Sequence, residues 1–238
     1  LIKPGSKLIT IEETAELNIP QENWISLIAR RSYGLGENLG GEIELFDLVK
    51  TSMRHRPDVL IVGEIRGNEA YVLFQALATG HGGICTMHAT DIDAAVKRLT
   101  SKPMDIAPAY VPLMNIVVSV QRVNLAATGD MRAYRRMVSM DEIAGYEDYR
   151  NVFKWKPVTD SFDSSIKKGT MLSSISEHTG KSEKELIEEL QRRQNVLHWM
   201  RKRNIRSYKD VAAVIAEYYA RPKEFYEEEV EAEVIAVA

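Results

Sequence analysis

Residues 57–66 read Pro-Asp-Val-Leu-Ile-Val-Gly-Glu-Ile-Arg, and no other stretch narrows the fold as much. The unbroken apolar run Val59–Val62 predicts a strand buried on both faces, which belongs inside a mainly parallel sheet covered by helices. The neighbouring sequence agrees. Further strands are predicted at Lys7–Glu12, Gly83–His88 and Asn115–Gln121, with the central one spanning Asp58–Glu64. Helical patterns at Leu45–His55, Asn68–Ala78 and Asp91–Thr100 alternate with them, the order expected of an α/β fold. Within the second helix, Ala70, Leu73, Phe74 and Leu77 fall on one face.

Glu64 stands at the C-terminal end of that central strand, where open α/β sheets place their ligand crevice. A carboxylate there can orient the water shell of a magnesium ion or polarise an attacking water. The same pattern also describes an ordinary buried strand followed by a charged loop. A second segment bears on the choice. Thr79-Gly80-His81-Gly82-Gly83-Ile84-Cys85-Thr86-Met87-His88-Ala89-Thr90-Asp91 ends a helix on glycine and then runs a short strand with a histidine near each end. Glycines let backbone approach a ligand closely, and a histidine at a strand tip can donate to a phosphate oxygen. His81 as a helix-terminal cation, or His81 and His88 as a zinc pair, are the competing readings. Third, Lys7-Leu8-Ile9-Thr10-Ile11-Glu12-Glu13-Thr14-Ala15-Glu16 again delivers carboxylates at a strand end. Glu12 can act there as general base for water, or belong to a solvated acidic turn.

The remainder of the chain has a different character. Alternation over Met131–Trp155 predicts one or two antiparallel hairpins added at the sheet edge, and Asp160–Ser165 reads as a polar linker. Beyond it the pattern is helical. Ser182-Glu183-Lys184-Glu185 has the form of a capping box, Leu186, Leu190, Leu197 and Met200 form a stripe, and Asn204–Ser207 breaks the helix before another at Tyr208–Tyr219. The division expected is 1–160 core, 161–222 helical domain and 223–238 acidic mobile tail. Net charge is −3 with pI near 6.0, so nothing global advertises a nucleic-acid partner. The single cysteine, Cys85, excludes an intrachain disulfide and fits a reducing compartment. No run is long and apolar enough for a bilayer span, the N-terminus is no signal peptide, and the opening Leu1-Ile2-Lys3-Pro4-Gly5-Ser6 reads as the interior of a longer protein.

The three acidic and histidine segments, in this order, resemble the secretion ATPase superfamily of type II secretion, type IV pilus and archaeal flagellar motors, with type IV secretion motors more distant. Thr10–Glu16 resembles its acidic "Asp box", Val62–Arg66 its Walker B segment, and Gly80–Asp91 its His box. Glu13 stands where an aspartate is usual, as do Arg56 and Gly67; with Ser32-Tyr33-Gly34-Leu35-Gly36 these departures resemble the archaeal branch. The resemblance implies a RecA-like core in which Glu64 is the catalytic and magnesium-holding acid and Glu12 the base. It likewise implies His81 and His88 as phosphate sensors, Arg66 as the residue orienting the loop, and Glu13 beside the nucleotide. It implies ATP and Mg2+ as cofactors, a homo-hexamer, a membrane platform protein as partner, and a cytoplasmic site peripheral to the membrane. A nucleic-acid translocase of the same class and a non-catalytic interaction module are the alternatives; the basic residues Arg192, Arg193, Arg201, Lys202, Arg203 and Arg206 also describe a solvated helix face.

One family element is absent. No G-x-x-x-x-G-K-[ST] pattern occurs, since Thr179-Gly180-Lys181-Ser182 has Ile175 where the first glycine belongs. Gly180 and Ser182 read instead as a helix stop and the next helix's N-cap. By the resemblance, the phosphate-binding loop, its strand and an N-terminal domain lie upstream of Leu1. Loss of that strand is then expected to leave Lys7–Glu12 and Asp58–Glu64 as unpaired sheet edges.

Overall fold

A computed structural model describes residues 2–30, 41–124 and 133–231. The fold is α/β: a parallel-type sheet, an antiparallel sheet, and helices. Its contacts gather in two units, one of residues 1–63, 81–84 and 180–238, the other of 64–80 and 85–179.

In the first unit the sheet is built on β1 (Leu8–Glu12), whose five residues are all buried. It pairs in parallel with β2 (Trp24–Ile28) on one side and β3 (Val59–Val62) on the other, and β4 (Gly82–Cys85) lies beyond β3. This corrects the expectation of unpaired edges at Lys7–Glu12 and Asp58–Glu64. Those strands bond directly to each other, and the edges are β2 and β4. Each fully buried Leu, Ile or Val of β1 and β3 contributes about 1.5–3 kcal/mol, which is why the continuous apolar run fixes this layer. Helix α1 (Leu45–Ser52) packs on β1 through Leu45 and Val49, and Glu44 and Asp47 close a capping box at its start. Lys7 clasps the entry to β3, its N–H donating to Asp58 Oδ2 at 2.7 Å and its Nζ to the His55 carbonyl at 2.6 Å.

The same unit contains α5 (Glu183–Lys202), α6 (Tyr208–Ala220), α7 (Pro222–Phe225) and a π-helical turn, Tyr226–Glu231. They enclose their own core of Val196, Trp199, Met200, Tyr218, Phe225 and Val230. The expected stripe is therefore shifted: Met200 is buried, but Leu190 and Leu197 are exposed, and Val196 and Trp199 take their place. Of the 223–238 segment expected as a mobile tail, 223–231 are helical, with Phe225 and Val230 in that core, and 232–238 lie outside the described residues.

In the second unit β5 (Ile116–Asn124), β6 (Ala133–Gly145), β7 (Asp148–Lys156) and β8 (Ser161–Ser164) form an antiparallel sheet in chain order. Two readings change here. The strand at 115–121 belongs to this sheet rather than the parallel one, and the polar linker at 160–165 is largely β8, paired with Phe153–Lys156. Arg136 grips the β7–β8 turn, donating through Nε and Nη2 to the two oxygens of Asp160, which also accepts from Trp155 Nε1. Helix α4 (Met171–Thr179) follows. Its first turn is met by the buried Glu142 of β6, whose Oε2 accepts from the Thr170 and Met171 N–H groups at 2.5 and 2.9 Å. A Cβ on Gly169 would overlap this carboxylate. Helices α2 (Glu69–Ala78) and α3 (Ile92–Leu99) complete the unit.

Candidate functional site

The clearest grouping lies in the second unit, where the chain leaves β3. Glu64 opens a loop that reaches α2, and its carboxylate is partly open to solvent. The next residue, Ile65, is buried at 1% exposure and its N–H donates to the Thr86 carbonyl at 2.9 Å. That bond draws the stretch after β4 alongside the loop. His88 stands on this stretch with Nε2 3.7 Å from Glu64 Oε1, its ring 88% exposed. Its carbonyl is held by Arg98 Nη1 of α3 at 2.7 Å. The α3 start is itself fixed by Asp91, whose carboxylate accepts from the Ala94 N–H at 2.8 Å; that bond, with one from Thr90, holds the Asp91 carboxyl below its ordinary range. A carboxylate and an imidazole thus share an open position at a strand exit, on backbone anchored at both sides. Such a pair can hold a hydrated cation at the acid and donate from the ring to an anionic oxygen.

Arg66 and the glycine after it are fixed through their main-chain N–H groups, which donate to Glu69 Oε1 at 2.6 and 2.8 Å. Glu69 is 4% exposed and was not singled out from the sequence. An acid in a helix's first turn looks like a partner of the helix dipole, and only its burial shows otherwise.

In the first unit, Glu12 is 4% exposed at the end of β1. Its Oε1 accepts from the N–H groups of Glu16 and Leu17, both at 3.0 Å, while its Oε2 is buried without a hydrogen-bond partner. One oxygen therefore shapes the acidic turn and the other remains available. Gly63 packs on this side chain: a Cβ there would lie 3.3 Å from Glu12 Cγ. Glu13, next in the turn, is exposed. His81 sits in the first unit between Gly80, at φ 92°, and Gly82, whose N–H bonds the Asp58 carbonyl at 3.0 Å. A Cβ on Gly82 would meet that carbonyl at 3.1 Å and Val59 Cγ2 at 3.2 Å, so the glycine lets β4 approach β3. The structure therefore brings Glu64 and His88 together and Arg66 onto the same loop, while Glu12, Glu13 and His81 belong to the other unit. The 32–36 segment falls outside the described residues.

Thr179–Ser182 behaves as a helix boundary. Gly180 has φ 71°, and Ser182 caps α5, its Oγ accepting from the Glu185 N–H while Glu185 bonds back to the Ser182 N–H at 2.8 Å. The N–H and hydroxyl of Ser182 are thereby committed to the cap.

Residues 1–218 match the family described as "Type II/IV secretion system protein". An uncharacterized protein of Methanocaldococcus jannaschii is 40% identical over 202 residues, covering 82% of this chain and 72% of that protein. The conjugal transfer protein TrbB of Rhizobium radiobacter is 33% identical over 154 residues, covering 62% of this chain and 41% of that protein. Among solved structures, the VirB11 ATPase of the Brucella suis type IV secretion system, in complex with sulphate, aligns at TM-score 0.40 and 24% identity over 55% of this chain and 39% of that one.

Proposed function

The chain belongs to the Type II/IV secretion system protein family, and on that premise we propose that it is part of an ATP-hydrolysing motor that powers protein secretion or the assembly of a type IV pilus-like filament. The observation that carries this reading is the Glu64–His88 pair at the exit of β3, on a segment whose neighbouring amides are all engaged. A second observation supports it: Glu12 keeps a buried oxygen without a partner.

The residues suit a magnesium nucleotide. Among the described residues no group of three or more His, Cys, Asp or Glu is arranged to cage a metal. Mg2+ keeps several waters and takes one or two carboxylates plus phosphate oxygens, a role that a partly open carboxylate at a strand exit can fill. Glu64 would hold it, through water, and the ion would supply Lewis-acid polarisation of a phosphoryl oxygen. Glu64 orients water with its partly open carboxylate. Glu12 accepts a proton at Oε2 while Oε1 stays on its two amides. His88 donates to the anion and thereby distinguishes its presence from its absence; His81 has the same role at the other end of β4. Arg66 orients the loop near Glu64, and Glu13 is a separate candidate contact to the nucleotide. The nucleotide's phosphates also need an amide cradle, and the sequence carries no G-x-x-x-x-G-K-[ST] pattern to supply it. The intact protein would bring that loop from a further segment; by its family resemblance it would assemble as a hexamer on a membrane platform protein at the cytoplasmic face and follow the archaeal-type branch. Among the described residues no helix is long and apolar enough to cross a membrane.

The deciding experiment is Glu64→Gln in the full-length protein that contains this chain. ATP turnover is expected to fall about a hundredfold or more, with nucleotide affinity largely kept. Unchanged turnover would overturn the assignment. The 238-residue chain by itself is expected neither to bind ATP tightly nor to hydrolyse it.

A further inference from the structure

We infer that Glu69 is the positioning residue of this site: its buried carboxylate sets the backbone that presents Glu64. The inference rests on the reading of Glu64 just given. Three consecutive amides follow Glu64, and each has a fixed acceptor. Ile65 donates to Thr86, and Arg66 and Gly67 donate to the same Glu69 Oε1. Glu69 opens α2, yet it does not face water as an acid in a helix's first turn commonly does. It is 4% exposed and folds back over the loop. Charge-assisted bonds of this kind are short and about twice as strong as neutral ones, so the loop has one low-energy path. Gly67 belongs to the same device. A Cβ there would come within 2.8 Å of Glu69 Oε2, so a side chain at 67 and this carboxylate position exclude each other.

The Glu64 side chain is partly open, at 38% exposure, and the main chain beneath it sets where its carboxylate can reach. A shift of roughly 1 Å in a catalytic group can cost about a hundredfold in rate. Loss of Glu69 therefore acts on turnover rather than on nucleotide capture.

The test uses the full-length protein with magnesium and ATP. Glu69→Ala is expected to lower kcat about tenfold or more while KM for ATP stays within about threefold. Glu69→Gln keeps an oxygen that accepts the same two N–H groups and should recover kcat to within about threefold of the parent. Gly67→Ala should lower kcat by displacing the carboxylate, and should add nothing in the Glu69→Ala background. Amide hydrogen exchange at Arg66 and Gly67, read without nucleotide, should accelerate in Glu69→Ala. Should Glu69→Ala fail to fold, the Gln and Gly67 variants carry the test. Parent-like kcat in folded Glu69→Ala, or a folded Glu69→Gln as impaired as the alanine variant, overturns the inference. Glu64→Gln separates the two claims: an inactive Glu64→Gln beside a normal Glu69→Ala removes this inference alone, whereas an active Glu64→Gln removes the reading beneath it.

Discussion

The Ile65 N–H donates to the Thr86 carbonyl at 2.9 Å, joining the residue after Glu64 to the residue two before His88. This bond ties the backbone of the acid to that of the imidazole, whose side chains stand 3.7 Å apart. Both side chains are open enough for water to screen them, and exposed pairs are worth only about 0–1 kcal/mol.

His88→Ala should consequently leave folding stability nearly unchanged. In the full-length protein it should narrow the difference between ATP and ADP affinity, which titration calorimetry with each nucleotide would read. A large fall in melting temperature with no change in nucleotide preference would make His88 a structural residue instead.

Glu12 makes the opposite case, because it is buried. Glu12→Gln keeps an oxygen for the Glu16 and Leu17 amides but turns the partnerless buried Oε2 into an NH2 donor, so stability should fall by about 1–3 kcal/mol, and turnover should fall as well. Glu12→Ala would in addition leave two amides without their acceptor, at about 1–3 kcal/mol each if they stay buried. Denaturant melts and steady-state rates together check this. Normal turnover in Glu12→Gln would restrict Glu12 to shaping the turn.

Much of this was legible in the sequence. Val59–Val62 named its strand because four apolar residues in succession leave few alternatives, and Ser182 with Glu185 named the start of α5 because a capping box is local. What was missed depends on partners far along the chain. Trp24–Ile28 is a strand because β1 pairs with it, and its half-exposed pattern carries little signal of its own. Ser161–Ser164 is polar and becomes a strand through β7. Asn115–Gln121 shows its β-branched residues plainly, but a strand's sequence does not say which sheet it joins. Leu190 and Leu197 fit a helical stripe as well as Val196 and Trp199 do, and only the placement of α6 and α7 chooses between them. At the site, the residue types of Glu64 and His88 were legible, but the anchoring by Thr86 and Glu69 was not.

Acid should weaken the second sheet through Asp160. Hydrogen bonds from Arg136, then from Trp155, hold its carboxyl down at about 2, against an ordinary value of 3.8. A carboxyl lowered on folding stabilises the fold above its unfolded pKa, and that contribution disappears as pH falls through the folded one. The loss should therefore fall between about pH 4 and pH 2. Unfolding free energy measured across this range should fall less steeply in Asp160→Asn than in the parent, and identical slopes would exclude the pair as the cause.

The C-terminal helices should depend on Phe225. Its ring meets Trp199 edge-on at 5.7 Å and Tyr218 at 6.3 Å, and it is 2% exposed. Phe225→Ala should cost about 3–5 kcal/mol by the usual scale for a buried ring. Urea unfolding followed by tryptophan fluorescence would show it, and a cost under about 1 kcal/mol would mean that the ring is not part of a packed core.

Glu142 gives α4 an unusual dependence. The acceptor for its first amides comes from a residue 28 positions earlier, on β6, and not from a side chain of its own. Helices of nine residues are marginal in isolation. The start of α4 is therefore expected to become stable together with β6 rather than before it. In the native state the same bond works in reverse. A fluctuation that opens β6 at Glu142 releases the start of α4 with it, so the two segments should exchange their amide hydrogens as one cooperative foldon.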